Sequence, residues 1–286
     1  MPPKLEIISE HGCFGGRQLF YRHTSTEIGL PMRFGIFVPA RKSGVSLPML
    51  MFLAGLTCSE ETFAIKAGAQ RIAAELGIAL LTPDTSPRGA GVAGEADAWD
   101  FGVGAGFYLD ATREPWARHW RMQSYLMSEL LPMVLDDFSI NASRVGIFGH
   151  SMGGHGALTL ALKHPATFAS VSAFAPIVAP AHTPWGEKAF RGYLGERTEH
   201  WDEHDASVLM RRQITAPYPR GILVDQGEAD KFLEEQLHPH AFEAACRDVA
   251  QPLTLRLHAG YDHGYYFIST FVEDHLRFHD KQLRGV

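Results

Sequence analysis

Apolar residues in this chain fall into short unbroken runs divided by polar and glycine-containing stretches. Seven runs, at 34–38, 49–53, 78–82, 145–149, 168–174, 221–225 and 253–257, have strand length. Continuous apolarity over so few residues predicts strands buried on both faces, as in a parallel sheet flanked by helices. Two earlier segments, 5–9 and 19–23, lie on either side of Gly15-Gly16 and read as edge strands joined by a turn. Helical spacing appears between several runs. Ala69, Ile72, Ala73 and Leu76 follow the i, i+3, i+4, i+7 pattern, and Gly77 supplies a left-handed stop. Met122, Leu126, Leu130 and Val134 form a second stripe, with a kink or restart expected at Pro132. A third helix should begin at Ser151 and end before Pro165, and a last one should cover 265–282, with Phe267, Phe271, Leu276 and Phe278 set among charges.

Alternating strands and helices with short links predict an α/β protein, one doubly wound domain over residues 1–286. No internal repeat, low-complexity tract or linker divides it. The longest irregular insertions are expected at 88–106 and 180–204, where such loops commonly rim an active site.

Composition narrows the function classes. With 45% hydrophobic and 20% charged residues the chain reads as globular, and its formal charge of −6 argues against nucleic acid as a partner. Three cysteines, Cys13, Cys58 and Cys246, cannot all pair, which favours a reducing compartment. The first ten residues carry charges where a signal peptide needs an apolar stretch, and no run approaches the ~20 apolar residues of a membrane span. The expectation is a cytoplasmic protein with no membrane partner.

Chemistry enters at Gly149-His150-Ser151-Met152-Gly153, directly after one apolar run and directly before a helical segment. A sharp strand-to-helix turn there lifts a serine hydroxyl above the sheet, and flanking glycines avoid the clashes side chains would cause. The hydroxyl needs a base, and in this arrangement the chain order is serine, acid, histidine. After the run 221–225 the candidates are Asp225, Glu228 and Asp230; Asp230 lies farthest into the loop and is favoured. After 253–257 comes His263, between Asp262 and Gly264. An oxyanion hole needs two N–H donors. Met152 offers one and Leu56, in the loop Ala54-Gly55-Leu56-Thr57-Cys58, offers the other.

These and further segments carry a resemblance. Leu53–Cys58, the stretch from Trp99 through Tyr108, Gly149–Ala157, the stretch from Pro184 through Phe190, Gly192–Gly195, Asp225–Gly227 with Asp230, and Gly260–His263 followed by Tyr265–Ile268 span nearly the whole chain in order. Together they resemble the S-formylglutathione hydrolase (esterase D) family of α/β-hydrolases. The resemblance implies a serine esterase that cleaves the thioester S-formylglutathione to formate and glutathione, with side activity on short acyl esters. It implies Ser151, Asp230 and His263 as catalytic triad and requires no cofactor and no metal. It places Cys58 beside the active site, and Trp99 and Trp185 as aromatic walls of an acyl pocket. Members are often dimers, so a homodimer is an expectation, although no dimer surface is legible. Residues 89–98 are less like the family. No sequence feature identifies the groups that bind the glutathione carboxylates; Lys66, Arg118, Arg121 and Lys188 are candidates only by proximity to the matched loops.

Competing signals carry less weight. Gly89-Ala90-Gly91-Val92-Ala93-Gly94 fits a dinucleotide fingerprint but neither abuts the preceding strand nor opens a helix. His200-Trp201-Asp202-Glu203-His204 fits an inverted zinc-protease pattern without a third ligand, and reads as a surface turn. His150 and His155 are expected to pack rather than react. For Cys58 a small buried hydrophobe and a reactive thiol remain equal alternatives. Two other function classes stay open, a general short-acyl carboxylesterase and a non-catalytic interaction protein on the same fold.

Overall fold

The computed structural model describes residues 5–42, 44–197 and 199–284. Residues 1–4, the start of the segment read against a signal peptide, lie outside it, as does residue 198 of the insertion at 180–204. Each of the nine predicted segments forms a strand: β1 (Glu6–Cys13), β2 (Gly16–Thr24), β3 (Pro31–Val38), β4 (Leu47–Leu53), β5 (Ala79–Pro83), β6 (Ile140–His150), β7 (Ser170–Phe174), β8 (Ile222–Gly227) and β9 (Leu253–His258). They join one sheet in the order β1-β2-β3-β5-β4-β6-β7-β8-β9. The β1–β2, β2–β3 and β3–β5 pairs are antiparallel, and all pairs from β5 to β9 are parallel. Every residue of β4, β5, β7 and β8 is buried, as their unbroken apolar runs require.

The strand order reverses at β4. The chain leaves β4 for β5 on one side and later returns to β6 on the other. Loops from the C-terminal ends of β4 and β6 therefore diverge and leave a crevice, the position where ligands bind in open α/β sheets. Right-handed crossovers also explain the layers. Helices α1 (Glu60–Lys66) and α2 (Gln70–Leu76) connect β4 to β5, whereas α4 (Met152–Lys163) connects β6 to β7 in the opposite direction and so covers the opposite face. The final helix, α8 (Tyr265–Leu283), packs beside α2 and over β6 and β7. Gly146 admits it: a Cβ there would stand 2.9 Å from His279 Nδ1.

Three departures from the pattern have physical causes. β6 begins at Ile140, earlier than its apolar run, because Asn141, Ser143 and Arg144 lie in a less buried stretch of strand. Near Pro132 the chain forms a π-helical turn over Tyr125–Leu130, then continues as α3 (Leu131–Asp137) with the proline in its first turn. The wider turn is a known way for a helix to absorb such an interruption. The 180–204 insertion is not irregular throughout. It holds α5 (Pro184–Leu194), capped by Thr183, whose side chain accepts from Gly186 N–H, and opened by Pro184. Trp185, Ala189, Phe190 and Tyr193 are buried along it. Two further helices, α6 (Ala206–Arg211) and α7 (Pro239–Asp248), pack against each other, and α6 also meets α4. No helix among the described residues is long and apolar enough to cross a membrane.

Candidate active site

β6 ends at His150 and α4 starts at Met152, so Ser151 makes the whole change of direction. Its backbone takes φ 59° and ψ −119°, a region costing a non-glycine residue ~1–3 kcal/mol unless its surroundings impose it. The surroundings do. Ser151 N–H donates to the Phe174 carbonyl at 2.9 Å, and the Ser151 carbonyl accepts from His155 N–H at 2.9 Å and Ile177 N–H at 3.3 Å. Glycines make the close approach possible. A Cβ at Gly149 would stand 2.2 Å from the Gly153 carbonyl oxygen, and one at Gly153 only 1.9 Å from that of Leu53.

The loop after β4 lies against this turn. A Cβ on Gly55 would come within 3.2 Å of Ser151 Cβ and of His150 Nδ1. Tyr108 donates its hydroxyl to the Ala54 carbonyl at 2.7 Å, and Thr57 N–H donates to the Gly104 carbonyl at 2.9 Å. Cys58 N–H is taken by the Gly55 carbonyl at 3.3 Å. Leu56 N–H and Met152 N–H are left without a hydrogen-bond partner among the described residues.

His263 follows β9, and its Nδ1 lies 2.5 Å from Asp230 Oδ2 in the loop after β8. The Asp230 side chain is fully buried, and it also accepts from Gln226 Nε2 at 3.2 Å and from Phe232 N–H at 2.9 Å. Asp225, the alternative acid, is engaged elsewhere: Arg256 donates to both its oxygens at 2.6 and 2.5 Å, and His275 lies 3.3 Å away. Burial acts to raise the Asp225 pKa, but hydrogen bonds from His275 and Arg256 outweigh it and hold the group at about 2.

Ser151 and His263 open into one cleft of about 140 Å³, which Leu56, Cys58, Trp99 and Trp185 also line. Trp185 is buried and meets Trp99 edge to face at 5.4 Å; Trp99 is 56% exposed and forms the rim. Phe232 continues the wall, 4.6 Å from Trp185 and 5.1 Å from His263 between ring centres. On the other side the His150 ring lies tilted against that of His263, 4.4 Å between ring centres. Burial, and then the neighbouring His263, holds His150 well below the usual histidine range, so it stands neutral there. The Cys58 thiol is half-buried beside Tyr265, and burial pushes its pKa up despite hydrogen bonds from Thr62 and Tyr265 that act to lower it.

The Esterase family model ("Putative esterase") matches residues 25–278. Over 99% of its length the chain is 48% identical to the S-formylglutathione hydrolase of Rattus norvegicus, all of which is covered. The chain belongs to the S-formylglutathione hydrolase family. Among solved structures, the S-formylglutathione hydrolase from Agrobacterium tumefaciens superposes with a TM-score of 0.94 at 46% identity, over 97% of this chain and 99% of that one. A fluorophosphonate-binding serine hydrolase of Staphylococcus aureus, 18% identical over 93% of this chain and 98% of its own, shares the fold with a TM-score of 0.75.

Within this hydrolase, six of the eight site residues named from sequence, Leu56, Cys58, Trp99, Ser151, Trp185 and His263, line the cleft; Asp230 contacts His263, and Met152 directly follows Ser151. Sequence reading missed Phe232 as a wall residue, since only its place two residues after Asp230 marks it. It expected His150 to pack, which its burial supports, but gave no sign of its contact with His263. Of the proximity candidates for substrate carboxylates, Lys188 pairs with Asp100 and Arg121 with Glu27 at 3.1 Å. The segment from Gly89 to Gly94 is an irregular loop and opens no helix. In the pentapeptide from His200 to His204, His200 faces Glu203 while His204 is half-buried against Lys163. No group of three or more His, Cys, Asp or Glu among the described residues is arranged to hold a metal ion.

Proposed function

We infer that this chain hydrolyses S-formylglutathione to formate and glutathione by serine catalysis, with side activity on short acyl esters. The observation that carries the chemistry is the 2.5 Å contact between His263 Nδ1 and Asp230, beside a serine held at a strained turn in the same cleft. With Nδ1 occupied by the carboxylate, Nε2 is the nitrogen left to take the Ser151 proton as the hydroxyl attacks the formyl carbon. Leu56 N–H and Met152 N–H, unpaired among the described residues, stabilise the tetrahedral oxyanion. Collapse expels the glutathione thiolate, which takes the proton from His263. The same histidine then activates water to release formate and free Ser151. A neutral His150 beside the base adds no charge to oppose the imidazolium.

The small volume of the cleft and its two tryptophans support a one-carbon acyl group over a bulky one. Unpaired Cys13, Cys58 and Cys246 support a reducing, cytoplasmic setting, and a homodimer rests on family resemblance. The test is steady-state hydrolysis of S-formylglutathione beside p-nitrophenyl acetate, by wild type and Ser151→Ala. A kcat/KM advantage of about 100-fold for the thioester, ~2.7 kcal/mol, upholds the substrate. Equal or better turnover of the aryl ester makes the chain a general short-acyl carboxylesterase, and an undiminished Ser151→Ala overturns the mechanism.

A further inference from the structure

We propose that Lys66 and Lys231 form a two-point cationic rim that binds the carboxylates of the glutathione moiety. This rests on the S-formylglutathione reading above and names how the same cleft would recognise the leaving group.

The cleft cannot hold the tripeptide. Its ~140 Å³ compares with ~300–1,000 Å³ for sites that enclose drug-sized ligands, so the glutathione portion must lie across the rim. That portion carries two carboxylates and one ammonium, a net anion, while this chain has 32 acidic against 26 basic residues. Anion recognition therefore needs locally placed cations rather than a general field. Three other cations of the chain are committed. Lys188 is paired with Asp100, Arg121 with Glu27, and Arg88 with Asp84 and the Cys58 carbonyl.

Lys66 and Lys231 are different. Both are exposed, and neither has a carboxylate partner among the described residues. Lys66 Nζ stands 5.7 Å from the centre of the Tyr265 ring, and Lys231 Nζ stands 4.9 Å from that of Phe232. Both rings line the cleft. Tyr265 belongs to the wall with Cys58 and His150, whereas Phe232 belongs to the wall with Trp185 and His263. The two ammonium groups thus stand beside two different lining rings of the same cleft. A cation held over an aromatic face is oriented without being neutralised, so its N–H donors remain available to a carboxylate. The lysines also sit where the chain is fixed: Lys66 in the last turn of α1, whose N-terminus Ser59 caps, and Lys231 directly after Asp230.

The experiment compares kcat/KM for S-formylglutathione and for uncharged p-nitrophenyl acetate in wild type, Lys66→Ala, Lys231→Ala, the double variant and the two Lys→Arg variants. Expected is a fall in the thioester-to-aryl-ester ratio of about fivefold for each single variant, the upper range for an exposed ion pair (about 1 kcal/mol), and about 25-fold for the double. The loss should lie in KM rather than kcat, shrink with added salt and be restored by arginine. An unchanged ratio in the double variant, or equal loss on both substrates, overturns the proposal. Inhibition of aryl-ester hydrolysis by S-methylglutathione separates this from the underlying reading. A wild type without preference for the formyl thioester defeats the reading, whereas an inhibition constant unmoved in the double variant defeats the rim.

Discussion

The Leu53 carbonyl oxygen sits so near Gly153 that a Cβ on residue 153 would lie 1.9 Å from it, with the Ala54 carbonyl oxygen 2.6 Å away. One contact thereby ties the end of β4, which carries the Leu56 loop, to the first turn of α4, which carries Met152. Both neighbours are backbone, so a side chain at 153 could be accommodated only by moving one of the two elements. Gly153→Ala should cost about 1–3 kcal/mol of stability. It should lower kcat about 100-fold, the scale of an ångström-sized misplacement. Urea unfolding together with initial rates checks this; wild-type values for both would show that the contact does not set the site.

Asp230 and Asp225 leave the same strand end but should fail differently. Asp230→Asn removes the acceptor that orients His263, so kcat should fall about 10⁴-fold with little loss of stability. Asp225→Asn takes the carboxylate from the half-buried Arg256, which keeps Asp274, and from the buried His275, and should cost about 1–3 kcal/mol, while rate per folded molecule stays within a few-fold. Measuring rate and unfolding midpoint on both variants decides it, and reversed phenotypes would reassign the acid.

Acid should destabilise the protein well before its carboxylates titrate. His155 is fully buried and its pKa is lowered to about 3, chiefly by desolvation. Desolvation also lowers His150, His204, His275 and His279. For a histidine with a depressed folded pKa, the unfolded chain binds the proton first. Stability is therefore full above the unfolded value of about 6.5 and falls as pH drops towards the folded value, by ~1.4 kcal/mol per pH unit for each such group. Urea midpoints at pH 7 and 5 should show a steep decline, and His155→Asn should flatten it by about one proton. A decline unchanged by that variant would locate the proton uptake elsewhere.

Cys58 lines the cleft, yet burial raises its pKa, so it is no pre-formed thiolate. Alkylation should be slow at pH 7, speed up with rising pH, and block hydrolysis sterically. Cys58→Ser should keep turnover within about threefold, because the proposed chemistry makes no use of the thiol, and should abolish the inhibition. Time courses with iodoacetamide at pH 7 and 9 separate this from inhibition through Cys13, which would persist in the variant.

The middle of the sheet was legible in sequence because β4, β5, β7 and β8 are buried on both faces, and unbroken apolarity is the direct consequence of that burial. The apolar run of β9 predicted the same, but as an edge strand it is only half-buried. The Ser151 turn was legible for a related reason: Gly149 and Gly153 sit where a Cβ cannot, and such sterics act over a few residues. Strand order in the chain then directed attention to Asp230 and His263. The helix from Pro184 to Leu194 carries local signals too, the Thr183 cap, Pro184 in its first turn and Gly195 at its end, although its stretch was expected to be an irregular insertion. What remained hidden joins parts distant in sequence. The β4–β6 crevice depends on strand order in space, and the engagement of Asp225 depends on Arg256 and His275 reaching it from β9 and α8. That Lys66 and Lys231 have no carboxylate partner among the described residues, while Lys188, Arg121 and Arg88 pair with Asp100, Glu27 and Asp84, is likewise visible only in the folded chain. Local patterns encode burial and backbone geometry, whereas partner choice among charged groups is settled only when the folded chain fixes the distances between them.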